Sequence, residues 1–119
     1  MPTALITGAS RGIGRRTAEL LAHQGWDLLL TARSVDQLEH LGEQLSGKGI
    51  SVASATIDLT QPDGIAAAIA GLLQQGAIPS VLINNAGAAY TGDLLAMPLE
   101  RWQWLLQLNV TSVMQVCSA

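Results

Sequence analysis

Thr7-Gly8-Ala9-Ser10-Arg11-Gly12-Ile13-Gly14 is the stretch that decides the fold. It follows a short apolar run, Ala4-Leu5-Ile6, and opens a helical pattern, so it reads as a strand-to-helix turn. Gly8 can turn tightly, Gly12 lets backbone approach a bound group, and Gly14 allows a helix to pack closely on a strand. The unsatisfied N–H groups at the start of that helix favour an anion. Three glycines alone are a weak signal, and their place directly after a strand supplies the context the motif needs.

The arginines strengthen this reading by breaking a rule. Arg11, Arg15 and Arg16 crowd a helix start, where the dipole disfavours cations, and no acid appears before Glu19. A bound anion would relieve the conflict, and local rules tend to be broken at functional sites. Arg11, inside the turn, reads as a phosphate contact. For Arg15 and Arg16, phosphate contact and simple solvation both stand open. A Walker-type loop requires Gly-Lys-Ser/Thr at its end, whereas Gly14 is followed by Arg15-Arg16, which excludes it.

Outward from the turn, apolar runs alternate with helical patterns. Ile13, Thr17, Leu20, Leu21 and Gln24 mark one face of a first helix, closed by Gly25. Leu28-Leu29-Leu30 is a second strand. Ser34 and Gln37 form a capping box for a helix with the stripe Val35, Leu38, Leu41, Leu45. Val52 to Ile57 is a third strand, rich in small residues and expected near a sheet edge. Thr60 and Asp63 read as a second capping box, before a helix lined by Ile65, Ile69, Leu72 and Leu73. Val81-Leu82-Ile83 is the fourth strand, and a loop with Gly87, Gly92 and Pro98 leads to a last helix from Leu99 to the end. Continuous apolar strands at this rhythm imply an α/β fold with a parallel sheet covered on both faces. The last helix has no Gly, Pro or basic cluster to end it, so Ala119 reads as a cut within the fourth helix.

Composition agrees. The chain has 119 residues, enough for one domain, and its 49% hydrophobic and 13% charged residues exclude a disordered segment. With Phe absent, Leu, Ile, Val and Ala must fill the core. A net charge of −3 gives no support to nucleic-acid or membrane binding. Residues 1–33 carry +2 and residues 34–119 carry −5, so the positive charge gathers around the glycine turn. Cys117, the single cysteine, excludes a disulfide framework and reads as a small buried hydrophobe. No leader is visible after Met1-Pro2 and no run is long enough to span a bilayer, so a cytoplasmic protein is expected. His23 and His40 read as helix-surface residues, and no metal site is expected.

Thr7 to Gly14 resembles the signature of the short-chain dehydrogenases/reductases. Asp58-Leu59 after the third strand, Asn84-Asn85-Ala86-Gly87 after the fourth and Asn109 in the last helix follow in that family's order. The resemblance implies a Rossmann-type doubly wound sheet of strand order 3-2-1-4, with residues 1–119 forming an incomplete NAD(P)-binding domain. It implies that Gly8, Ser10, Arg11, Gly12, Ile13 and Gly14 cradle a pyrophosphate. Asp58 would bond the adenine amino group, or else serve only as a helix cap or solvated turn, with Leu59 against the ring. Asn85, Ala86 and Gly87 would pass beneath a ribose, while Asn84 steadies the sheet. Asn109, on a helix face shared with Trp102, Leu105, Val113 and Val116, would hold a water in a proton relay, or else be a buried amide satisfied by backbone.

The cofactor expected is NADP(H). An NAD enzyme places an acid at the end of the second strand, whereas this chain reads Thr31-Ala32-Arg33-Ser34, and Arg33 with Arg11 can bracket a 2′-phosphate. The family's reaction moves hydride between nicotinamide and a carbonyl or alcohol carbon of a small substrate. It uses a tyrosine, a lysine four residues on, and a serine. Tyr90 is followed four residues later by Leu94, and Lys48 is preceded by Gln44, so the catalytic segment is expected beyond this chain and the 119 residues alone are expected to be inactive. Tyr90 is expected to line the loop near the nicotinamide end. A complete, non-catalytic NADP-binding or redox-sensing module is the alternative. The apolar last helix predicts a homo-oligomer formed through it.

Overall fold

Apolar strands without polar alternation need cover on both faces, and the sheet has it. The computed structural model describes residues 2–119. Strands β1 (Thr3–Ile6), β2 (Asp27–Ala32), β3 (Val52–Thr56) and β4 (Val81–Ile83) pair in parallel in the order β3-β2-β1-β4. This is the doubly wound order expected, with β3 at one edge. Helices α1 (Gly12–His23), α2 (Val35–Ser46) and α3 (Ile65–Leu73) follow the first three strands. A last helical segment comprises α4 (Leu99–Leu106), a π-turn (Gln107–Thr111) and α5 (Ser112–Ser118).

Strand residues alternate between two cores. Ala4, Ile6, Leu28 and Leu30 join Ala18 and Ala22 of α1 and Leu38, Leu41 and Leu45 of α2 on one face. Leu5 and Leu29 take the other face, against Leu72 of α3. Ile65 and Ile69 of α3 continue that side, packing with Leu108 and Val116 of the last segment. Ser34 caps α2, its hydroxyl accepting from Gln37 N–H at 3.3 Å. Gly25, at φ +87°, closes α1 as expected.

Several sequence expectations are corrected. The inner face of α1 is Gly14, Ala18 and Ala22, not the stripe through Ile13 and Leu20, and Ile13 is 78% exposed. Small residues bring the helix close to the sheet and leave its larger side chains at the margins. Val35 is likewise exposed, outside the α2 stripe. The box at Thr60 and Asp63 does not form: α3 starts later, behind Gly64 in a left-handed conformation with no side-chain cap. In the last segment the buried positions are Leu108, Ser112 and Val116, while Trp102 and Asn109 are exposed. The π-turn shifts the helical register, which a 3.6-residue periodicity does not anticipate. Cys117 is exposed, not buried, and its sulfur accepts from Asn84 Nδ2 at 3.5 Å. Asn84, directly after β4, is thereby tied to α5.

Of the glycines, Gly14 is the one with least room for a side chain. A Cβ there would collide with the Gly8 carbonyl oxygen and the Asn85 side-chain nitrogen, and the carbonyl belongs to backbone that cannot give way. We predict that Gly14→Ala destabilises the protein by about 1–3 kcal/mol, as overpacking does, although Ala is the better helix former by about 1 kcal/mol. Gly42, inside α2, has nothing within 4 Å of a built Cβ. Gly42→Ala is expected to stabilise by up to about 1 kcal/mol. Urea midpoints at unchanged slope measure both, and shifts of the same sign would contradict this account.

Candidate functional site

Helices lie on one face after β1 and on the other after β3, so the connection reverses beside β1. Open α/β sheets bind ligands at such a switch point, outside the carboxyl ends of the strands. A cleft of about 520 Å³ lies there. Its floor is the glycine turn, through Gly8, Ser10, Arg11 and Gly12. Thr31, Ala32, Arg33 and Ser34 form the wall at the end of β2, and Ile57 and Leu59 the wall after β3. Asn85, Ala86, Gly87 and Ala88 form the wall after β4, with Leu108 reaching in from the last helical segment.

Backbone bonds hold the floor. The buried Thr7 hydroxyl accepts from both Asn85 N–H and Ala86 N–H at 3.1 Å. Asn85 Nδ2 donates to the Gly8 carbonyl at 3.0 Å, and Ala9 N–H donates to the Thr31 carbonyl at 3.0 Å. Gly12 takes φ +58°, a conformation that other residues adopt at a cost. Sequence reading missed Thr7. Its one signal was a polar residue closing an apolar strand, and its partners lie 78 and 79 positions away.

The charges separate into two groups. Arg15 and Arg16 turn onto Glu19 at 3.2 and 3.4 Å, and Arg15 also reaches Gln44 at 3.3 Å. Their phosphate reading loses support. Arg11 and Arg33 line the cleft and, among the described residues, have no carboxylate within 4.0 Å. The first turn of α1 contains no acid and no side-chain cap, so its N–H groups remain available to an anion. Two cations and a helix N-terminus thus line the same cleft.

Four of the expected site residues stand off the cleft wall. Ile13 points to solvent and Gly14 packs inward, so only their backbone can serve the turn. Asp58 is not on the cleft wall, and its Oδ1 accepts from the Thr60 hydroxyl at 2.6 Å and the Thr60 N–H at 2.9 Å. The Thr60 hydroxyl holds the Asp58 carboxyl below its ordinary range against the opposing effect of burial, helped by the Thr60 N–H and the charge of Arg33. Asn109 lies behind the wall. Its Oδ1 accepts from Ala88 N–H at 3.1 Å, and its Nδ2 donates to the carbonyls of Ala88 at 2.8 Å and Leu105 at 3.0 Å. Tyr90 packs over Gly92 and does not line the cleft. Among the described residues no cluster of His, Cys, Asp and Glu is arranged to hold a metal, and no helix is long and apolar enough to cross a membrane.

This geometry has close counterparts. The family profile described as short chain dehydrogenase matches residues 2–119. The 3-oxoacyl-(acyl-carrier-protein) reductase FabG of Vibrio cholerae is 34% identical over 116 residues, covering 98% of this chain and 46% of that protein. Serine 3-dehydrogenase of Rhizobium radiobacter is 34% identical over 115 residues, covering 96% of this chain and 45% of that protein. The structure of a short-chain dehydrogenase from Sphingobium yanoikuyae in complex with NADPH superimposes with a TM-score of 0.88 at 39% identity, over 99% of this chain and 46% of that one. An alcohol dehydrogenase from the archaeon Thermococcus sibiricus, complexed with 5-hydroxy-NADP, gives 0.93 at 32% identity, over 99% of this chain and 51% of that one. The chain spans about half the length of the relatives it matches. From the glycine turn to the sheet order, this chain belongs to the short-chain dehydrogenase family.

Proposed function

We propose that the chain binds NADP(H) in this cleft, as the cofactor-binding domain of an oxidoreductase acting on a small carbonyl or alcohol substrate. The observation that carries the proposal is the pair Arg11 and Arg33, both lining the cleft and without a carboxylate partner among the described residues. The 2′-phosphate would lie between them. The backbone of Gly8, Ser10, Gly12, Ile13 and Gly14 would receive the pyrophosphate, as the α1 N-terminus allows. Leu59 would face the adenine, and Asn85, Ala86 and Gly87 would run beneath the ribose. Asp58 would meet the adenine amino group through Oδ2, since Oδ1 already serves Thr60. The structures of the relatives from Sphingobium yanoikuyae and Thermococcus sibiricus hold NADPH and 5-hydroxy-NADP, which supports the choice of cofactor.

When bound, the nicotinamide supplies or accepts the hydride. The chain's own part is to bind, orient and exclude water. Asn109 would serve a proton relay through Oδ1, whose second lone pair remains after Ala88 N–H, because both of its N–H bonds are already directed at carbonyls. The tyrosine, lysine and serine would come from residues beyond this chain. Nothing in the proposal involves nucleic acid or a membrane, and a reducing, cytoplasmic compartment suits the free, exposed Cys117.

Trp102, Leu106, Val110 and Met114 recur every fourth residue along the last helical segment and are 42%, 59%, 50% and 68% exposed. Such a stripe expects a second apolar surface, and a second copy of the chain supplies one. Light scattering during gel filtration should show self-association that Leu106→Glu abolishes. A sharp monomer peak for the unsubstituted protein would exclude this arrangement.

Two further outcomes test the cofactor reading. Arg33→Asp should weaken NADPH binding roughly ten- to a hundredfold, the scale of one charge-assisted contact, and reverse the preference over NADH. Fluorescence titration measures it, and equal affinity of the unsubstituted protein for both cofactors would count against the proposal. The 119 residues alone should not oxidise NADPH in the presence of carbonyl substrates. A positioned proton donor contributes about 10²–10⁴-fold, and here Tyr90 has no lysine four residues on. Sustained, carbonyl-dependent absorbance loss at a rate proportional to the purified chain would overturn this.

A further inference from the structure

Two glutamines on the last helical segment form a polar network that the cofactor reading does not use. Gln107 and Gln115 are both half-buried and face the loop after β3. Gln107 Nε2 donates to the Leu59 carbonyl at 3.2 Å and to Gln115 Oε1 at 2.9 Å. Gln115 Nε2 donates in turn to the Pro62 carbonyl at 3.0 Å. On a regular α-helix, residues eight apart lie roughly 80° apart around the axis. The wider π-turn takes back part of that rotation and brings both amides to one side.

The same π-turn, Gln107–Thr111, carries Asn109, whose amide grips Ala88 at both its N–H and its carbonyl. Leu59 and Ala88 stand on separate walls of the cleft, and Leu108, between the two amides in sequence, lines it as well. A π-turn gives up regular helical bonding and occurs often at functional sites. Here it directs one amide to the loop after β3 and another to the loop after β4, at Leu59 and Ala88, which lie outside any helix or strand.

We infer that the π-turn is a brace that sets the spacing of these loops, with Gln107 and Gln115 acting as positioning residues for the adenine end of the bound nucleotide. This inference rests on the cofactor reading above. Leu59 is the residue on the base wall, and its carbonyl is the atom held by Gln107. Release of that carbonyl frees the wall to move, while the phosphate end, held by Thr7 and the glycine turn, stays in place.

The test uses the purified protein with Gln107→Leu and Gln115→Leu, the first removing both donors of the inner amide and the second the Pro62 arm. Hydrogen exchange is read without ligand, and calorimetry measures binding of 2′,5′-ADP, the adenine half of the cofactor. Each variant should exchange faster over residues 58–61 with β1 and β2 unchanged, and bind 2′,5′-ADP about two- to tenfold more weakly, the range for one neutral hydrogen bond. Because the two amides share one network, the double variant should fall short of the product of the single effects. Unchanged exchange over 58–61 in folded variants would overturn the brace. Faster exchange with unchanged affinity would overturn the positioning role. If Gln107→Leu does not fold, Gln115→Leu decides alone. Failure of the unsubstituted protein to bind 2′,5′-ADP would remove the cofactor reading and the positioning role with it, while the exchange comparison still judges the brace.

Discussion

The Thr7 hydroxyl is the interaction on which the rest of the cleft depends. It lies buried at the carboxyl end of the central strand and accepts two backbone N–H groups from the loop after β4. A buried hydroxyl without partners costs about 1–3 kcal/mol in proteins. Accepting from Ala86 N–H and from Asn85 N–H, which it shares with the Ile83 carbonyl, it locks the glycine turn against both residues. The approach is possible only because Gly14 has no side chain, since a Cβ would occupy the space that the Asn85 amide and the Gly8 carbonyl share. The bond from Ala9 N–H to Thr31 then fixes the end of β2 relative to the same turn. Arg11 and Arg33 start from backbone positions held by these contacts and need no carboxylate to place them.

Much of this was legible in the sequence because it is local or periodic. The four strands, their order through the family resemblance, and the Leu38, Leu41, Leu45 stripe of α2 all come from patterns a few residues long. The misreadings share a cause. Hydrophobic periodicity finds large apolar residues, whereas the inner face of α1 is chosen by smallness, at Gly14, Ala18 and Ala22. The last helix was read at 3.6 residues per turn, and the π-turn moves Asn109 out of the buried face to which that period assigned it. Thr7 and Asn85 lie 78 positions apart, and no pattern in one sequence announces that they meet. The network of Gln107 and Gln115 was equally silent, since two polar residues on an amphipathic helix ordinarily face water.

The charge asymmetry of the sequence was a sound guide, but it did not say which arginines would matter. Glu19 divides them, because a helix places residues three and four apart side by side, and it takes up both Arg15 and Arg16. Arg11 precedes the helix and Arg33 follows a strand, beyond the reach of such pairing. The acid nearest in effect to Arg33 is Asp58, whose carboxyl Thr60 holds below its ordinary range by donating to it twice. Asp58 is exposed, so water and salt screen its field. Arg33 therefore keeps most of its attraction for an anion in the cleft.

The floor and the walls of the cleft are held by different parts of the molecule. The floor belongs to β1 and its turn, and the loops after β3 and β4 are gripped from behind by the last helical segment. That segment is anchored in the core with α3 through Leu108 and Val116, so the two grips move with one packed body. Flexible loops would have to be ordered by the ligand, and each immobilised, rotamer-rich side chain costs roughly 0.5–1.5 kcal/mol on binding. A brace behind both loops meets that cost during folding. Loops tethered at Leu59, Pro62 and Ala88 can then present a preformed surface to whatever enters the cleft.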